Sequence, residues 1–221
     1  MKELKTVWKH YFFMLPGLPL IGNLENTKVV VAHGFGRNGY PENELGEICK
    51  IRNDSSSDCE AAKKLTDKGF DAGYVNYKIA QAVLEHMTIR QDIIAILQWE
   101  IGVKIYQLKG ILRDKCLLDR ITLVWPPGSG KFNTRSLILE VLKISKERNL
   151  NLDNVAIIAH RDLLPRSFLV TKRVIGLPIV TIPDDIYQYD NRSVQIWTRN
   201  RKIFLVYEFL ARVHHILFRW V

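Results

Sequence analysis

The sequence predicts an α/β domain built on a mainly parallel sheet of about five strands and closed by a long C-terminal helix. Three observations carry that expectation. Short β-branched runs recur at Thr27–Ala32, Asp92–Leu97, Arg120–Val124, Asn154–Ala159 and Pro178–Ile182. Three of them (Val29–Ala32, Ile93–Leu97 and Val155–Ala159) are apolar almost throughout, as strands buried on both faces are. Helical spacing fills the intervals, and alternating strands and helices imply right-handed crossovers in a doubly wound sheet.

Each element has its own signal. Residues 1–26 read as a basic amphipathic lead-in packed on the domain. Their apolar run Tyr11–Leu15 is broken by Pro16 and Pro19 and falls far short of the ~20 apolar residues of a membrane span. Residues 27–221 read as a single domain with a variable insertion at about 34–71. Its polar stretch Asn53–Asp58 suggests a surface insertion or flexible lid, with short helices near Glu42–Lys50 and Cys59–Asp67. Helices are expected at Tyr74–Met87, where Ile79, Val83 and Met87 share a side, and at Thr134–Arg148, where Leu137, Ile138, Val141 and Ser145 do. Asp162–Ile175 should end at Gly176, with Asp162 as N-cap. The final helix, Ser193–Phe218, is expected to bury Ile196, Ile203, Val206, Tyr207, Leu210 and Val213.

Composition narrows the function classes. Apolar residues make up 47% of the 221-residue chain, enough for a sizeable core. Its three cysteines (Cys49, Cys59, Cys116) form no C-x-x-C pair, which argues against a disulfide framework and a cysteine zinc site. A reducing compartment, and so a cytoplasmic protein, is the simpler expectation. The formal net charge of +9 favours anionic partners: phosphorylated metabolites, nucleic acid or an acidic membrane surface. From residue 192 onward six basic side chains (Arg192, Arg199, Arg201, Lys202, Arg212, Arg219) face Glu208 alone. No helix-turn-helix, zinc-finger or RNA-recognition signature accompanies the charge, so sequence-specific nucleic-acid binding is not expected. No His, Asp or Glu set has metal-ligand spacing.

Candidate chemistry collects at four strand ends, where α/β folds bind ligands. After the first strand, His33, Gly34 and Gly36 form a glycine turn whose N–H groups could approach an anion; a plain turn with a hydrogen-bonded histidine is the alternative. No G-x-S-x-G elbow occurs, which excludes the usual serine hydrolase. After the second strand come Gln98 and Glu100; Glu100 is a candidate proton-transfer group or ligand anchor, or else a helix-dipole partner. After the third, Gly128, Gly130, Asn133 and Thr134 lie in a segment resembling a phosphate loop. Trp125 stands where its first glycine belongs and Phe132 where its Ser/Thr belongs, so a looser phosphate turn, with Thr134 capping the helix, is expected instead. After the fourth come His160, Arg161 and Arg166: an imidazole able to titrate near neutrality, with Arg166 as a fork for phosphate or carboxylate.

Taken in order, these residues resemble the SanA/YdcF-like family, a bacterial domain of unknown function. The matching positions are Val29–Gly36, Asn76, Asn133-Thr134, His160 with Pro165-Arg166, and Glu208 within Tyr207–Leu210. Gln98-Trp99-Glu100 departs from the glycine-rich turn usual there. The resemblance implies a Rossmann-like three-layer fold whose cleft is lined by the matched residues, Asn76 included. It also implies a nucleoside-containing ligand such as S-adenosylmethionine, and a cell-envelope role in some relatives. Two functions follow. One is binding of an anionic small molecule, with His160 or Glu100 as the proton-transfer group of any reaction. The other is a non-enzymatic envelope or interaction factor that docks a membrane surface or partner through the basic C-terminal helix.

Overall fold

The computed structural model describes residues 2–15, 17–38, 45–108, 115–127, 132–176, 179–182 and 186–217. Five strands pair in one sheet: β1 (Val29–Ala32), β2 (Ile94–Gln98), β3 (Ile121–Val124), β4 (Val155–Ile158) and β5 (Ile179–Thr181). Their order is β3-β2-β1-β4-β5, and every adjacent pair is parallel. This is Rossmann-like topology. The chain steps outward from β1 through β2 to β3, then crosses to the far side of β1 for β4 and β5. The switch point therefore lies between β1 and β4, whose ends are level, Ala32 beside Ile158.

The four residues of each of β1, β3 and β4 are all buried, as the continuous apolar runs require. Two helices, α4 (Gly73–Ile89) and α5 (Trp99–Gln107), pack on each other; α4 lies over β1, β2 and β4, and α5 over β2 and β3. Helix α5 begins without a connecting loop after Gln98. It packs so closely that a Cβ on Gly102 would stand 2.0 Å from Leu123 Cδ2, so only glycine fits there. A short helix, α6 (Lys115–Leu118), precedes β3. Beyond β3, α7 (Thr134–Glu147) packs on α8 (Leu164–Ile175), and α8 covers β4 and β5.

Helix ends correct two sequence expectations. Asn133, not Thr134, caps α7: its side chain accepts from Ser136 N–H while Ser136 Oγ accepts from Asn133 N–H, a reciprocal box. Asp162 does not cap α8, which starts two residues later with Pro165 in its first turn. Gly176, at φ +76°, ends α8 in the left-handed conformation, as expected.

The stretch read as a surface insertion is folded into the domain. Helices α2 (Leu45–Asn53) and α3 (Asp58–Asp67) bury Ile48, Ile51 and Leu65, which with Phe70 surround Trp99 and Val103 of α5 in a second apolar cluster. Burial on one side outweighed the polar composition on the other; residues 39–44 lie outside the described set. The lead-in also packs, as expected. Its helix α1 (Lys2–Phe13) rests on α8, Val7 and Tyr11 are buried in the main core, and Ile21 bridges Thr181.

The last helix overturns its expectation. A short 3-10 turn at Ile196–Thr198 precedes α9 (Arg201–Leu217), and the side turned inward carries Phe204, Glu208, Arg212 and His215. The apolar stripe expected to be buried faces outward: Val206 is 65% exposed and Leu210 61%, and Ile196, Ile203, Tyr207 and Val213 are exposed too. Buried partners fix the rotation: Glu208 must reach the Arg166 guanidinium on α8, and Arg212 the carbonyls of His10 and Tyr11 on α1.

Candidate functional site

The turn after β1 is held by side chains from across the sheet. Gly34 N–H donates to Gln98 Oε1 at 3.0 Å, and Phe35 N–H donates to Asn76 Oδ1 at 2.8 Å. Asn76, fully buried on α4, returns its amide to the carbonyls of Gly36 and Ala72. Arg37 N–H donates to Ser193 Oγ, and Asn38 N–H to the Asp71 carbonyl. The amides of Gly34, Phe35, Arg37 and Asn38 are thus already satisfied inside the protein, so the expected anion cradle is not what this turn forms. The glycines serve close approach. A Cβ on Gly36, at φ +71°, would meet Thr198 Oγ1 at 2.5 Å, and one on Gly34 would meet Gln98 at 3.0 Å.

Beneath the turn lie two buried imidazoles. Phe35 stacks on His160 with ring centroids 3.9 Å apart, and Tyr189 and Phe204 meet the same ring edge-on. Asp162 N–H donates to His160 Nδ1. Burial pushes His160 down to about 4 and His33, close to the Arg166 charge, to about 3. Both are neutral at pH 7, so the expectation that His160 titrates near neutrality does not hold, and no open surface reaches it.

Two buried ionic groups flank the imidazoles. Arg37 pairs with Glu100 at 3.6 Å, its guanidinium over the Trp99 ring. Burial raises the Glu100 carboxyl, and Arg37 partly offsets this. On the other side, Arg166 reaches Glu208 at 3.3 Å, and Arg212 reaches the same carboxylate at 3.0 Å. Arg212 also donates to the carbonyls of His10 and Tyr11 and lies over the Tyr11 ring. Arg166, expected to pair a ligand's charge, is instead buried against Glu208. Asp162, on the next turn, accepts from Tyr189 OH at 2.7 Å and Arg201 Nε at 3.0 Å; its carboxylate is one reason Tyr189 is raised, after burial. Arg161 lies half-buried over Tyr187.

The polar atoms around the switch point are not all used. His33 Nε2, Arg37 Nε, Glu100 Oε2 and Arg166 Nε are buried with no hydrogen-bond partner among the described residues, a concentration that is unusual in a folded interior. Open space lies one helical turn along α5 from Glu100, at Lys104. A depression of about 330 Å³ is lined by Asp71, Tyr74 and Tyr77 at the start of α4, Lys104 and Gln107 at the end of α5, and Arg192. Asn38 joins it to the buried turn, donating to Asp190 at 2.8 Å and to Asp71 at 3.4 Å. Lys104 pairs with Asp71 at 3.1 Å and Arg192 with Asp190 at 3.2 Å. Burial works to raise Asp190, but hydrogen bonds from Arg192 and Asn38 win and hold it down at about 2. The rim therefore offers two cations, the Asp71 carboxylate and two phenol rings, with the buried Asp190 carboxylate paired to Arg192. The chain matches no family model, no curated protein and no solved structure.

The structure brings together His33, Gly34, Gly36, Asn76, Gln98, Glu100, His160 and Arg166 at the carboxyl end of the sheet. Asn133 and Thr134 instead belong to the capped start of α7, where the Asn133 side chain is spent on the cap; Gly128 and Gly130 lie outside the described residues. Sequence reading missed Arg37, Lys104, Tyr74, Tyr77 and Arg192. A signal existed: Glu100 and Lys104, four apart on α5, stand one above the other, as do Tyr74 and Tyr77 on α4. Among the described residues no group of three or more His, Cys, Asp or Glu could hold a metal ion.

Proposed function

We propose that the chain is a SanA/YdcF-like protein that binds an anionic, nucleoside-type small molecule in the depression beside the carboxyl end of the sheet. The observation that carries this reading is the combination on its rim: Lys104 and Arg192 next to Tyr74 and Tyr77, with Asp71 between them. Lys104 and Arg192 would pair the ligand's negative group, and the tyrosines would take its flat ring. Because each cation already has a carboxylate partner, a ligand bearing both signs of charge suits the rim better than a bare phosphate. S-adenosylmethionine, with a carboxylate, an ammonium, a sulfonium and an adenine ring, has that make-up. The proposal is one of binding, since the two residues expected to move protons are covered, His160 at 0% and Glu100 at 4% exposure.

Thermal unfolding with S-adenosylmethionine, nucleotides and sugar phosphates tests it. A ligand at ~100 times its Kd adds about 2.7 kcal/mol to stability. The expected result is a stabilising ligand whose effect is lost in Lys104→Ala and Tyr77→Ala but kept in Arg166→Lys. A silent panel, or a ligand equally effective on the Lys104 and Tyr77 variants, rejects the site.

A further inference from the structure

Helix α9 is inside out: from Phe204 to Leu217 its two ordinary charges, Glu208 and Arg212, are buried, and its aliphatic and aromatic side faces solvent. Phe209 is 53% exposed, Leu210 61% and Leu217 72%. Helix α1 ends in the same way, with Phe12 58% and Phe13 73% exposed. The two apolar ends adjoin, because Arg212 donates to the backbone carbonyls of His10 and Tyr11, the residues just before those phenylalanines. Monomers seldom present a continuous apolar surface of this kind without an occupant.

Charge decides between occupants. Helical spacing puts Lys2, Lys5 and Lys9 on the outward side of α1 that leads to Phe12 and Phe13, and Lys202 on the outward side of α9; all four lysines are exposed. The apolar patch is therefore rimmed by cations on a chain of net charge +9. A second copy would gather both sets of lysines around one interface, where they repel. An anionic lipid surface takes both features at once, phenylalanine and leucine entering the acyl boundary while lysines meet headgroups. Among the described residues no helix is long and apolar enough to cross a membrane, which leaves lying on the surface as the mode. We infer that the outward faces of α1 and α9 together form a docking surface for an anionic lipid bilayer. The Arg166–Glu208–Arg212 group holds α9 in the rotation that presents this face.

Flotation of the full chain with phosphatidylglycerol vesicles, with phosphatidylcholine vesicles alongside, tests the inference. The chain is expected to float with the anionic vesicles at low salt and to be released as salt rises. The Phe209→Glu/Leu210→Glu double variant, placed on exposed positions, should lower binding at least about tenfold. Lys5→Glu/Lys9→Glu, which leaves the apolar face intact, should lower it by a similar factor on anionic vesicles only. Unchanged thermal midpoints identify both variants as folded. Absence of flotation by the unsubstituted chain overturns the inference, as does flotation of either variant equal to that of the unsubstituted chain. A dimer in light scattering that Phe209→Glu/Leu210→Glu dissociates, without vesicle binding, assigns the face to a second copy and overturns it too.

Discussion

Two buried arginine–glutamate groups flank the β1 turn, and they use the same residue types to different ends. At Glu208 one carboxylate lies between two guanidiniums, and the second of these also serves two backbone carbonyls of α1. That group ties α8, α9 and α1 into one body. At Glu100 one carboxylate meets one guanidinium at a longer 3.6 Å; each group keeps buried atoms without a hydrogen-bond partner among the described residues, Glu100 Oε2 and Arg37 Nε in one, Glu208 Oε2 and Arg166 Nε in the other. A buried charge costs several kcal/mol unless its partners are well placed, so the arrangement of two cations on one carboxylate is the better fitted to hold the fold, and the single, longer pair is the weaker tie.

Removing partners should separate the two. Glu208→Ala leaves Arg166 and Arg212 buried without a carboxylate and is expected to cost about 3–5 kcal/mol in urea unfolding, the largest effect. Arg37→Ala should cost less, about 3 kcal/mol at pH 7, because the stranded Glu100 can take up a proton; the loss should shrink below pH 5. A cost for Arg37→Ala equal to that of Glu208→Ala would remove the distinction.

The imidazoles between the groups give the next effect. His33 and His160 are held at about 3 and about 4 in the fold, below the ordinary value of about 6.5. Between those limits the unfolded chain binds the extra protons, so stability is full above about pH 6.5 and falls as pH drops towards 4, by up to ~1.4 kcal/mol per pH unit for each ring. Glu100 and Glu208, raised in the fold, work in the opposite sense above their unfolded values and soften the loss. A His33→Gln variant should flatten the slope by one ring's share; an unchanged slope between pH 6 and 4 would show that His33 is not the buried neutral group. The smallest change is expected for Glu100→Gln, at about 1–2 kcal/mol, because the amide oxygen can still accept from Arg37 in this single, longer pair. Glu208→Gln, with two cations to satisfy, should cost distinctly more.

The sheet was legible because burial on both faces leaves an unmistakable run: the Val29–Ala32, Ile121–Val124 and Val155–Ile158 strands all fall inside the expected segments. The His33, Glu100, His160 and Arg166 grouping was legible too, since every one follows a strand. What failed was any judgement needing long-range partners. The stripe of Leu210 and Val206 has the spacing of a buried face, and only the ionic demand of Arg166, contributed by another helix, turns it outward. The polar run before Cys59 hid the burial of Ile48 and Leu65 against Trp99. Asp162 looked like a cap because nothing near it in sequence announces Tyr189 or Arg201.

The knot of Arg166, Glu208 and Arg212 also sets an order of events during synthesis. Tyr11 and Arg212 are 201 positions apart, so α1, although it rests on α8, is not pinned through the carbonyls of His10 and Tyr11 until α9 has been made. Until α9 emerges, Arg166 has no carboxylate to meet, and α8 cannot settle onto the sheet without burying a bare cation. The domain is therefore expected to stay loosely assembled along the side of α1 and α8 until α9 has been made, a late-closing, high-contact-order step.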